Sequence, residues 1–299
     1  MYLNFIFKTW YTFTMIKIIS DVGFCFGVKN AVEKLKEIKN DGGRIFLLHP
    51  LIHNALLNDK LLKENNATIF AGEDLKKEDT ILFSAHGHLL EEEKKYSTSR
   101  QVDATCPLIK ERYKQLKKCY SEDVKFLFVG KKNHQETKAF LSHFPYLIYI
   151  DVSSFKEDIK RLDLKKQDKT FLISQTTISS FTFDEIKRII DEKSTLTSFI
   201  SPCKLYDSRA REAIDFLKDK NIDKLFFIVV GDKSSSNANE ILNQVKKIYP
   251  SIEAKIVLSA TQLDIEKLKN RDIFISSATS ASLKQVEDLV DELKSILQD

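Results

Sequence analysis

The sequence predicts an α/β fold with three similar lobes, each a parallel β-sheet covered by helices. Short runs rich in Ile, Phe, Val and Leu recur along the 299 residues, and a Lys- and Glu-rich amphipathic segment follows each run. Continuous apolar strands that alternate with helices are typical of parallel sheets buried on both faces. The runs fall into three groups of four, one in each third of the chain, which indicates three units of similar size.

Each group of four apolar runs supplies the predicted strands of one third of the chain. In the first third they lie at residues 15–20, 44–49, 67–71 and 80–86. In the second third they lie at 101–105, 124–130, 147–151 and 169–174. In the last third they lie at 196–200, 224–230, 252–258 and 272–277. The segments with helical periodicity include 28–40, 108–122, 134–144, 182–193, 207–220, 237–248 and 282–297.

These elements suggest where the lobes begin and end. The expected lobes cover residues 26–107, 108–201, and 202–299 together with the strand at 15–25. Residues 1–14, MYLNFIFKTWYTFT, differ in composition from the rest of the chain, and we expect an upstream extension with Met15 as the natural start. That stretch is too short to span a bilayer, and no small-residue cleavage site comes after it. No other stretch is long and apolar enough, so no membrane association is expected.

The composition excludes several classes of protein. Hydrophobic residues make up 42% of the chain and charged residues 30%, which is typical of a globular protein. The net charge of +4 is small and the lysines are spread over the helical segments, so no nucleic-acid partner is indicated. Four cysteines without evident pairing do not make a disulfide framework, and a reducing cytoplasm is the expected location.

Three cysteines lie where predicted strands end, one in each third of the chain: Cys25, Cys106 and Cys203. Ligands so far apart in sequence meet only through the tertiary fold, unlike the closely spaced pairs of local metal sites. Three thiolates leave a four-coordinate metal, or a cubane iron–sulfur cluster, one position short, and a catalytic metal needs such a position. Cys119 falls inside a helical segment, and we expect it to be structural.

Histidines concentrate at the same strand ends. His53, His86 and His134 each follow a different predicted strand, and we expect all three to be functional. His49 and His88 precede helical segments and are expected to act locally, for example as caps. Three imidazoles together with neighbouring hydroxyls suit the binding of a phosphate or diphosphate group.

Two further segments carry groups suited to chemistry. SSSNAN precedes a helical pattern, and the hydroxyls and free backbone N–H groups of a helix N-terminus both cap the helix and bind phosphate. Glu136 lies in the first turn of a predicted helix, where a carboxylate is favoured in any case, so position alone leaves its role open. A carboxyl group with threonine neighbours suits proton delivery. Together the groups suit a reductive step on a phosphorylated alcohol.

Seven short motifs occur in order between about residue 15 and residue 290: GFCFGV, LIHN, SAHG, DATCPL, GKKNHQE, SQTT and SSNAN. Their combination resembles the 4-hydroxy-3-methylbut-2-enyl diphosphate reductases, the IspH/LytB family. The resemblance implies three α/β lobes arranged around a central iron–sulfur cluster site. It also implies the last step of the non-mevalonate isoprenoid pathway. There the allylic hydroxyl leaves as water, with two electrons and two protons consumed, to give isopentenyl and dimethylallyl diphosphate.

The resemblance also implies a role for each matching residue. Cys25, Cys106 and Cys203 would hold one 4Fe–4S cluster, whose open fourth iron would bind the substrate hydroxyl. Glu136 would deliver the proton, and Thr176 would help to orient that hydroxyl. The implied diphosphate ligands are His53, His86, His134, Ser235, Ser236, Asn237 and Ser280. The implied electron donor is a small ferredoxin or flavodoxin.

The sequence departs from the family pattern in two places. Around the third cysteine, where the family has T-I-C-x-A-T-x-x-R-Q, it reads SPCKLYDSRA, so Tyr206 replaces a Thr and Ala210 a Gln, while Arg209 is kept. Near the C-terminus Ser280 is assigned by register alone, and Thr279 is a rival. The changed loop around Cys203 leaves open a redox sensor or a diphosphate-binding module that kept the fold. A zinc hydrolase using the three cysteines and water is also chemically allowed.

Overall fold

A computed structural model describes residues 14–38 and 42–298. Residues 1–13 of the expected extension lie outside this part of the chain. Twelve strands form three separate four-stranded sheets, and neighbouring strands in each sheet run parallel. No helix in the described ranges combines the length and apolar character needed to cross a membrane.

The first sheet has four short strands. They are β2 (Ile45–Leu47), β3 (Ala67–Ile69), β4 (Thr80–Phe83) and β5 (Arg100–Asp103). Their order is β3-β2-β4-β5. The helices of this part of the chain are α1 (Phe26–Glu37), α2 (Ala55–Glu64) and α3 (Leu90–Lys95).

The second sheet repeats that arrangement. Its strands are β6 (Val124–Gly130), β7 (Ile148–Asp151), β8 (Lys169–Ser174) and β9 (Thr195–Ile200). Their order, β7-β6-β8-β9, is that of the first sheet with each strand replaced by its counterpart. The accompanying helices are α4 (Pro107–Cys119), α5 (Gln135–His143), α6 (Phe155–Arg161) and α7 (Ser180–Lys193).

The third sheet joins the two ends of the chain. Its strands are β1 (Ile16–Ile18), β10 (Leu225–Val230), β11 (Glu253–Val257) and β12 (Asp272–Ser277). In the order β11-β10-β12-β1, the first strand of the chain takes the edge position that β5 and β9 hold in the other sheets. Ile16 pairs with Ile273, so the chain closes into a ring of three units. The helices here are α8 (Lys204–Leu217), α9 (Ser236–Ile248) and α10 (Leu283–Gln298).

The central strand β10 is apolar throughout because helices cover both faces of its sheet. All six residues of β10 are buried. Phe227 and Val229 pack into one apolar cluster, with Ile241 of α9, while Phe226 and Ile228 pack into another on the opposite face. A strand buried on both faces reads as a continuous apolar run, which is why this strand is predictable from the sequence.

The predicted fold is confirmed, with differences in detail. All twelve predicted strands are present, and most are a residue or more shorter than predicted. The strand predicted to reach residue 86 ends at Phe83, since the chain then turns through Gly87, whose φ is +88°. The helices α3 and α6 were not among the predicted segments, because six and seven residues are too few for a periodic pattern. The missed α2 does show a signal, in Leu57, Leu61 and Leu62.

Candidate active site at the centre of three sheets

The three cysteines are held in the same way in each sheet. Each follows the edge strand, is half-buried and free of disulfide bonds, and stands at the N-cap of the next helix, α1, α4 or α8. The backbone N–H of each cysteine donates a hydrogen bond to the carbonyl of the second residue after a central strand. The acceptors are Thr279 for Cys25 (3.1 Å), Ala85 for Cys106 (3.0 Å) and Thr176 for Cys203 (2.9 Å). The repeated backbone geometry therefore brings three sulfurs to one place.

One central cavity is lined by all three cysteines and by every other residue that the sequence predicted for the site. These others are His53, His86, His134, Glu136, Thr176, Ser235, Ser236, Asn237 and Ser280. Ala85, Gly27 and Leu108 add an apolar part of the lining beside the sulfurs. The cavity thus combines soft ligands, imidazoles, hydroxyls and a single carboxyl group.

Gly27 allows helix α1 to approach the second cysteine. A Cβ atom at this position would lie 2.6 Å from the Sγ atom of Cys106, closer than side-chain atoms pack. The Sγ of Cys25 accepts a hydrogen bond from the backbone N–H of Val28, 3.4 Å away, in the same first helical turn. The absence of a side chain at Gly27 therefore leaves room for the sulfur of Cys106 against the first turn of α1.

Burial disfavours free thiolates at this site. It raises the pKa of Cys106 to about 11, and the neighbouring Cys25 acts in the same direction. Burial raises the pKa of Cys203 as well, although the guanidinium of Arg112 opposes that shift. Thiolates become stable in such surroundings when an electropositive metal centre binds them. The cysteines therefore fit a metal cofactor better than they fit a free nucleophile.

Two buried arginines fix the loops that lead to the cysteines. Arg112 donates to the carbonyls of Ser174 (2.8 Å) and Ser201 (2.5 Å), and Ser201 lies two residues before Cys203. Arg209 repeats this contact in the third sheet. It donates to the carbonyls of Ser277 (3.0 Å) and Gly23 (2.8 Å), and Gly23 lies two residues before Cys25.

Sequence reasoning did not assign these arginines a role. The available signal was their common spacing, because each is the sixth residue after a cysteine. Both side chains are almost completely buried. Each arginine thus positions the loop of the next cysteine around the ring.

Glu136 is the carboxyl group of the cavity, and it is 1% exposed. Its Oε1 accepts from the backbone N–H of Thr176 at 2.7 Å, and its Oε2 accepts from the hydroxyl of Thr176 at 2.6 Å. Burial raises the pKa of Glu136, whereas Arg112 and the Thr176 hydrogen bonds lower it in part. A buried carboxyl group with a raised pKa is suited to hold a proton and to donate it.

The three predicted histidines form one cluster. The ring centroids are 4.2 Å apart for His53 and His86, 5.6 Å for His53 and His134, and 5.8 Å for His86 and His134. Burial lowers all three pKa values, with His86 well below its usual value and His134 at about 3, and the rings also disfavour each other's charge. The imidazoles are therefore neutral at pH 7.

The orientation of two of these rings suits a ligand. His134 caps helix α5, and its Nδ1 accepts from the N–H of Glu136 at 3.2 Å, which places the ring proton on Nε2. The Nε2 of His53 is buried and has no hydrogen-bond partner. A buried polar atom without a partner is costly, and a bound ligand would satisfy it.

The N-terminus of helix α9 completes the cavity. Ser235 caps the helix, accepting from Ala238 N–H at 3.3 Å, and Ser236 and Asn237 form its first turn. The Asn237 amide donates to the Thr279 hydroxyl, while its Oδ1 is buried without a partner. The Ser280 hydroxyl donates to the carbonyl of His53 at 3.0 Å.

The structure does not decide whether Thr279 or Ser280 is the diphosphate ligand of the C-terminal motif. Thr279 and Ser280 both line the cavity. Each of the two hydroxyls already has a protein partner, the Asn237 amide for Thr279 and the His53 carbonyl for Ser280. The choice between them therefore stays a prediction.

His49 and His88 make contacts away from the cavity lining, but neither caps a helix, since Asn54 and Leu89 hold the N-cap positions of α2 and α3. His49 pairs with Glu92 at 2.9 Å, and His88 stacks on Phe83 with ring centroids 3.8 Å apart. The expectation that Cys119 is structural is wrong, because this cysteine is exposed at the end of α4. Of the two departures near the third cysteine, Ala210 is fully buried in the core of the third sheet, and the side chain of Tyr206 lies outside what the structure describes.

Comparison with known proteins gives a consistent result. A model of the family described as "LytB protein" matches residues 16–294. A 4-hydroxy-3-methylbut-2-enyl diphosphate reductase of Clostridium perfringens (strain 13 / Type A) is 30% identical over 283 residues, covering 88% of this chain and 93% of that protein. One from Francisella philomiragia is 26% identical over 287 residues, covering 92% and 87%.

Two solved structures share the fold. The E-1-hydroxy-2-methyl-but-2-enyl-4-diphosphate reductase of Plasmodium falciparum superposes with a TM-score of 0.81 at 24% identity, covering 94% of this chain and 88% of that one. A structure described as (E)-4-hydroxy-3-methyl-but-2-enyl diphosphate reductase, the terminal enzyme of the non-mevalonate pathway, gives a TM-score of 0.64 at 25% identity. It covers 95% of this chain and 100% of that one. The three-lobed architecture is thus common to all three.

Proposed function

The chain belongs to the LytB protein family, and from this membership and the central cavity we infer its reaction. It is an iron–sulfur reductase that removes the allylic hydroxyl of 4-hydroxy-3-methylbut-2-enyl diphosphate. Two electrons and two protons are consumed, the C–O bond breaks, and the hydroxyl oxygen leaves as water. The products are isopentenyl and dimethylallyl diphosphate, and the reaction is the last step of the non-mevalonate isoprenoid pathway.

One observation supports this function above the others. Three cysteines from three sheets, three neutral imidazoles and one buried carboxyl group all line the same cavity. A redox sensor has no need of a proton donor beside its cofactor. The three thiols suit a metal cofactor, the imidazoles suit an anion and the carboxyl group suits proton delivery, which together fit the reduction of a phosphorylated alcohol.

We propose that Cys25, Cys106 and Cys203 hold a single 4Fe–4S cluster. The fit rests on free thiols at three helix N-termini, where negative charge is favoured, and on the one cavity that all three cysteines line. Three thiolates serve four irons, so when bound the cluster supplies electrons and one iron without a protein ligand. Arg112 and Arg209 would keep the loops of Cys203 and Cys25 in place as the cofactor binds.

The polar part of the cavity would bind the diphosphate. Neutral imidazoles donate from one nitrogen, and His134 has its Nε2 proton available for this. The first turn of α9 adds free backbone N–H groups and the positive end of a helix dipole. The proposed ligands are His53, His86, His134, Ser235, Ser236, Asn237 and Ser280. They would fix the phosphate end and leave the allylic end beside the sulfurs.

Glu136 would donate a proton to the reacting end of the substrate. Its raised pKa keeps the carboxyl group protonated closer to neutral pH than an ordinary glutamic acid. After the transfer, the N–H and hydroxyl of Thr176 would stabilise the carboxylate that forms. Thr176 would thus orient the donor, and through it the hydroxyl that leaves.

The electron donor would be a small ferredoxin or flavodoxin, whose acidic surface the Lys-rich helices would attract through opposite charge.

We place the protein in the cytoplasm, because four free cysteines suit a reducing compartment.

We propose three lobes. They cover residues 26–107, residues 108–201, and residues 202–299 together with the strand at 15–25.

Anaerobic purification followed by a turnover assay tests this function. We expect a brown protein with about three to four irons per chain, which oxidises a reduced viologen dye only when the allylic diphosphate is added. A colourless protein without iron after anaerobic reconstitution contradicts the proposal. Native zinc in place of iron would favour the hydrolase, and substrate binding without product would favour the sensor.

A further inference from the structure

The charge of the substrate is not matched by the residues that line the cavity. A diphosphate ester carries more than one negative charge at pH 7, yet the described lining residues include no lysine and no arginine. Burial lowers the pKa values of the three imidazoles, so none of them offers the permanent positive charge of a lysine or an arginine. A cation near the diphosphate would therefore have to come from just outside the lining.

Lys131 lies at that position. It is the first residue after β6, and its backbone N–H donates to the side-chain oxygen of Gln175 at 3.0 Å, which fixes the start of the loop. Its side chain is partly buried and crosses from the second sheet to the third. There the Nζ atom lies 3.3 Å from the hydroxyl oxygen of Ser236, which is a lining residue in the first turn of α9.

The surroundings leave this ammonium available to an anion. Glu240 lies one turn further along α9 and attracts Lys131, while the carboxyl group of Glu240 has Gln244 and Ser179 as its hydrogen-bond partners. Burial also raises the pKa of Glu240, which weakens it as a competing anion. The charge of Lys131 also helps to lower the pKa of His134. The ammonium thus lies at the N-terminus of α9 and acts electrostatically on the imidazole cluster.

We propose that Lys131 is a further diphosphate-binding residue, which contributes the positive charge that the cavity lining lacks. An ammonium has three donors, so a hydrogen bond to Ser236 leaves two for phosphate oxygens. The side chain would join the second and third sheets across the bound diphosphate. This proposal rests on the function proposed above, since it assigns a ligand for the same substrate.

The test measures affinity for inorganic diphosphate by calorimetry, on the anaerobic, cluster-loaded full chain, together with KM for the allylic substrate. The variants are Lys131→Met and Lys131→Arg, and the matched control is Lys132→Met, which removes the same charge from the exposed neighbour. We expect Lys131→Met to weaken diphosphate binding and raise KM about tenfold, with a smaller change in kcat. Lys131→Arg should recover most of the affinity, and Lys132→Met should match the wild type.

Two further measurements sharpen the result. The dependence of diphosphate affinity on ionic strength should be weaker in Lys131→Met than in the wild type, because one charge contact is absent. Glu240→Gln removes the competing carboxyl group and should tighten diphosphate binding a few-fold, and adding Lys131→Met should cancel that gain. Iron content and Tm, measured on every variant, report whether folding and cofactor loading are intact.

The outcomes separate the two proposals. Unchanged affinity in Lys131→Met, beside a wild type that binds and turns over, contradicts the role of Lys131 alone. An equal loss in Lys132→Met contradicts it too, since the effect would then be one of general surface charge. A wild type that neither binds diphosphate nor turns over substrate contradicts the proposed function, and the role of Lys131 with it.

Discussion

The central cavity has two walls that are built in different ways. The sulfur wall, formed by Cys25, Cys106 and Cys203, repeats one arrangement three times: an edge strand, a backbone hydrogen bond to a central strand end, and a helix N-cap. The acid wall, formed by Glu136 and Thr176, occurs once and depends on hydrogen bonds to the carboxyl side chain. Repeated backbone geometry positions the three proposed cluster ligands, while the proposed proton donor depends on side-chain contacts that occur once.

The three cysteine segments are not fully equivalent, because only two of them have an arginine six residues after the cysteine. Arg112 is the sixth residue after Cys106, and Arg209 is the sixth residue after Cys203. The sixth residue after Cys25 is Ala31. Ala31 is fully buried and belongs to the apolar core of the first sheet. Ala31 cannot supply the guanidinium contact that Arg112 and Arg209 make to the loops of Cys203 and Cys25. The sulfur wall should respond unequally to changes in its three parts.

The largest expected effect comes from removing a sulfur. Cys203→Ser should abolish turnover and most of the iron content, because two thiolates hold a cubane cluster poorly. Iron analysis and the visible spectrum of the anaerobic protein measure this. Cys119→Ser is the matched control, since that cysteine is exposed at the end of α4, and it should keep full iron content. Full iron in Cys203→Ser would remove Cys203 from the sulfur wall.

The acid wall should separate turnover from cofactor binding. Glu136→Gln keeps the shape of the side chain and removes its proton, so kcat should fall by about 10²–10⁴-fold while colour and iron content stay unchanged. Steady-state assays with the reduced dye measure kcat. Glu111→Gln, on the exposed face of α4, is a control that should turn over normally. An unchanged kcat in Glu136→Gln would exclude Glu136 as the donor.

The guanidinium contacts should affect stability more than chemistry. Arg209→Met leaves the carbonyls of Gly23 and Ser277 without this donor in a buried site, and the free energy of unfolding should fall by about 2–4 kcal/mol. Denaturant titration of the iron-free protein measures it. Arg112→Met should show a similar loss. A loss below about 0.5 kcal/mol in both would mean that the cysteine loops hold their positions without the arginines.

The close approach of α1 to Cys106 can be tested by adding one methyl group. In Gly27→Ala the new Cβ would meet the Sγ of Cys106 at 2.6 Å, so the sulfur must move and iron should be lost faster in air. Gly231→Ala is the steric control, because its Cβ would meet the Cβ of Ala278 at 2.9 Å, with no sulfur involved. Both variants should lose about 1–3 kcal/mol of stability, and only Gly27→Ala should also lose iron.

The smallest expected effect is a shift in a pH profile. If Glu136 donates its proton, kcat should fall as pH rises through its raised pKa, since the protonated form is lost. The Thr176 hydroxyl donates to the carboxylate and lowers that pKa, so Thr176→Val should move the alkaline limb of kcat to higher pH. A limb that stays in place, or moves to lower pH, would show that the limb reports another group.

Most strands and several site residues could be predicted from the sequence alone. The twelve strands were predictable because strands buried on both faces are continuously apolar, as in β10. Cys25, Cys106 and His53 were predicted as site residues because parallel strands carry functional groups at their carboxyl ends, whereas the role of Glu136 was implied only by the family resemblance. The helices α3 and α6 were not predicted, since their local periodicity is too short to detect.

The tertiary structure decided what depends on contacts between distant segments. The sequence does not indicate that Arg112 reaches Ser201, or that the ammonium of Lys131 lies beside Ser236. It does not give the hydrogen bonds and burial that raise the pKa of Glu136 either. The physical reason is that residue type and spacing encode local geometry and burial, whereas hydrogen-bond partners and electrostatic surroundings exist only after the three sheets have packed around a common centre.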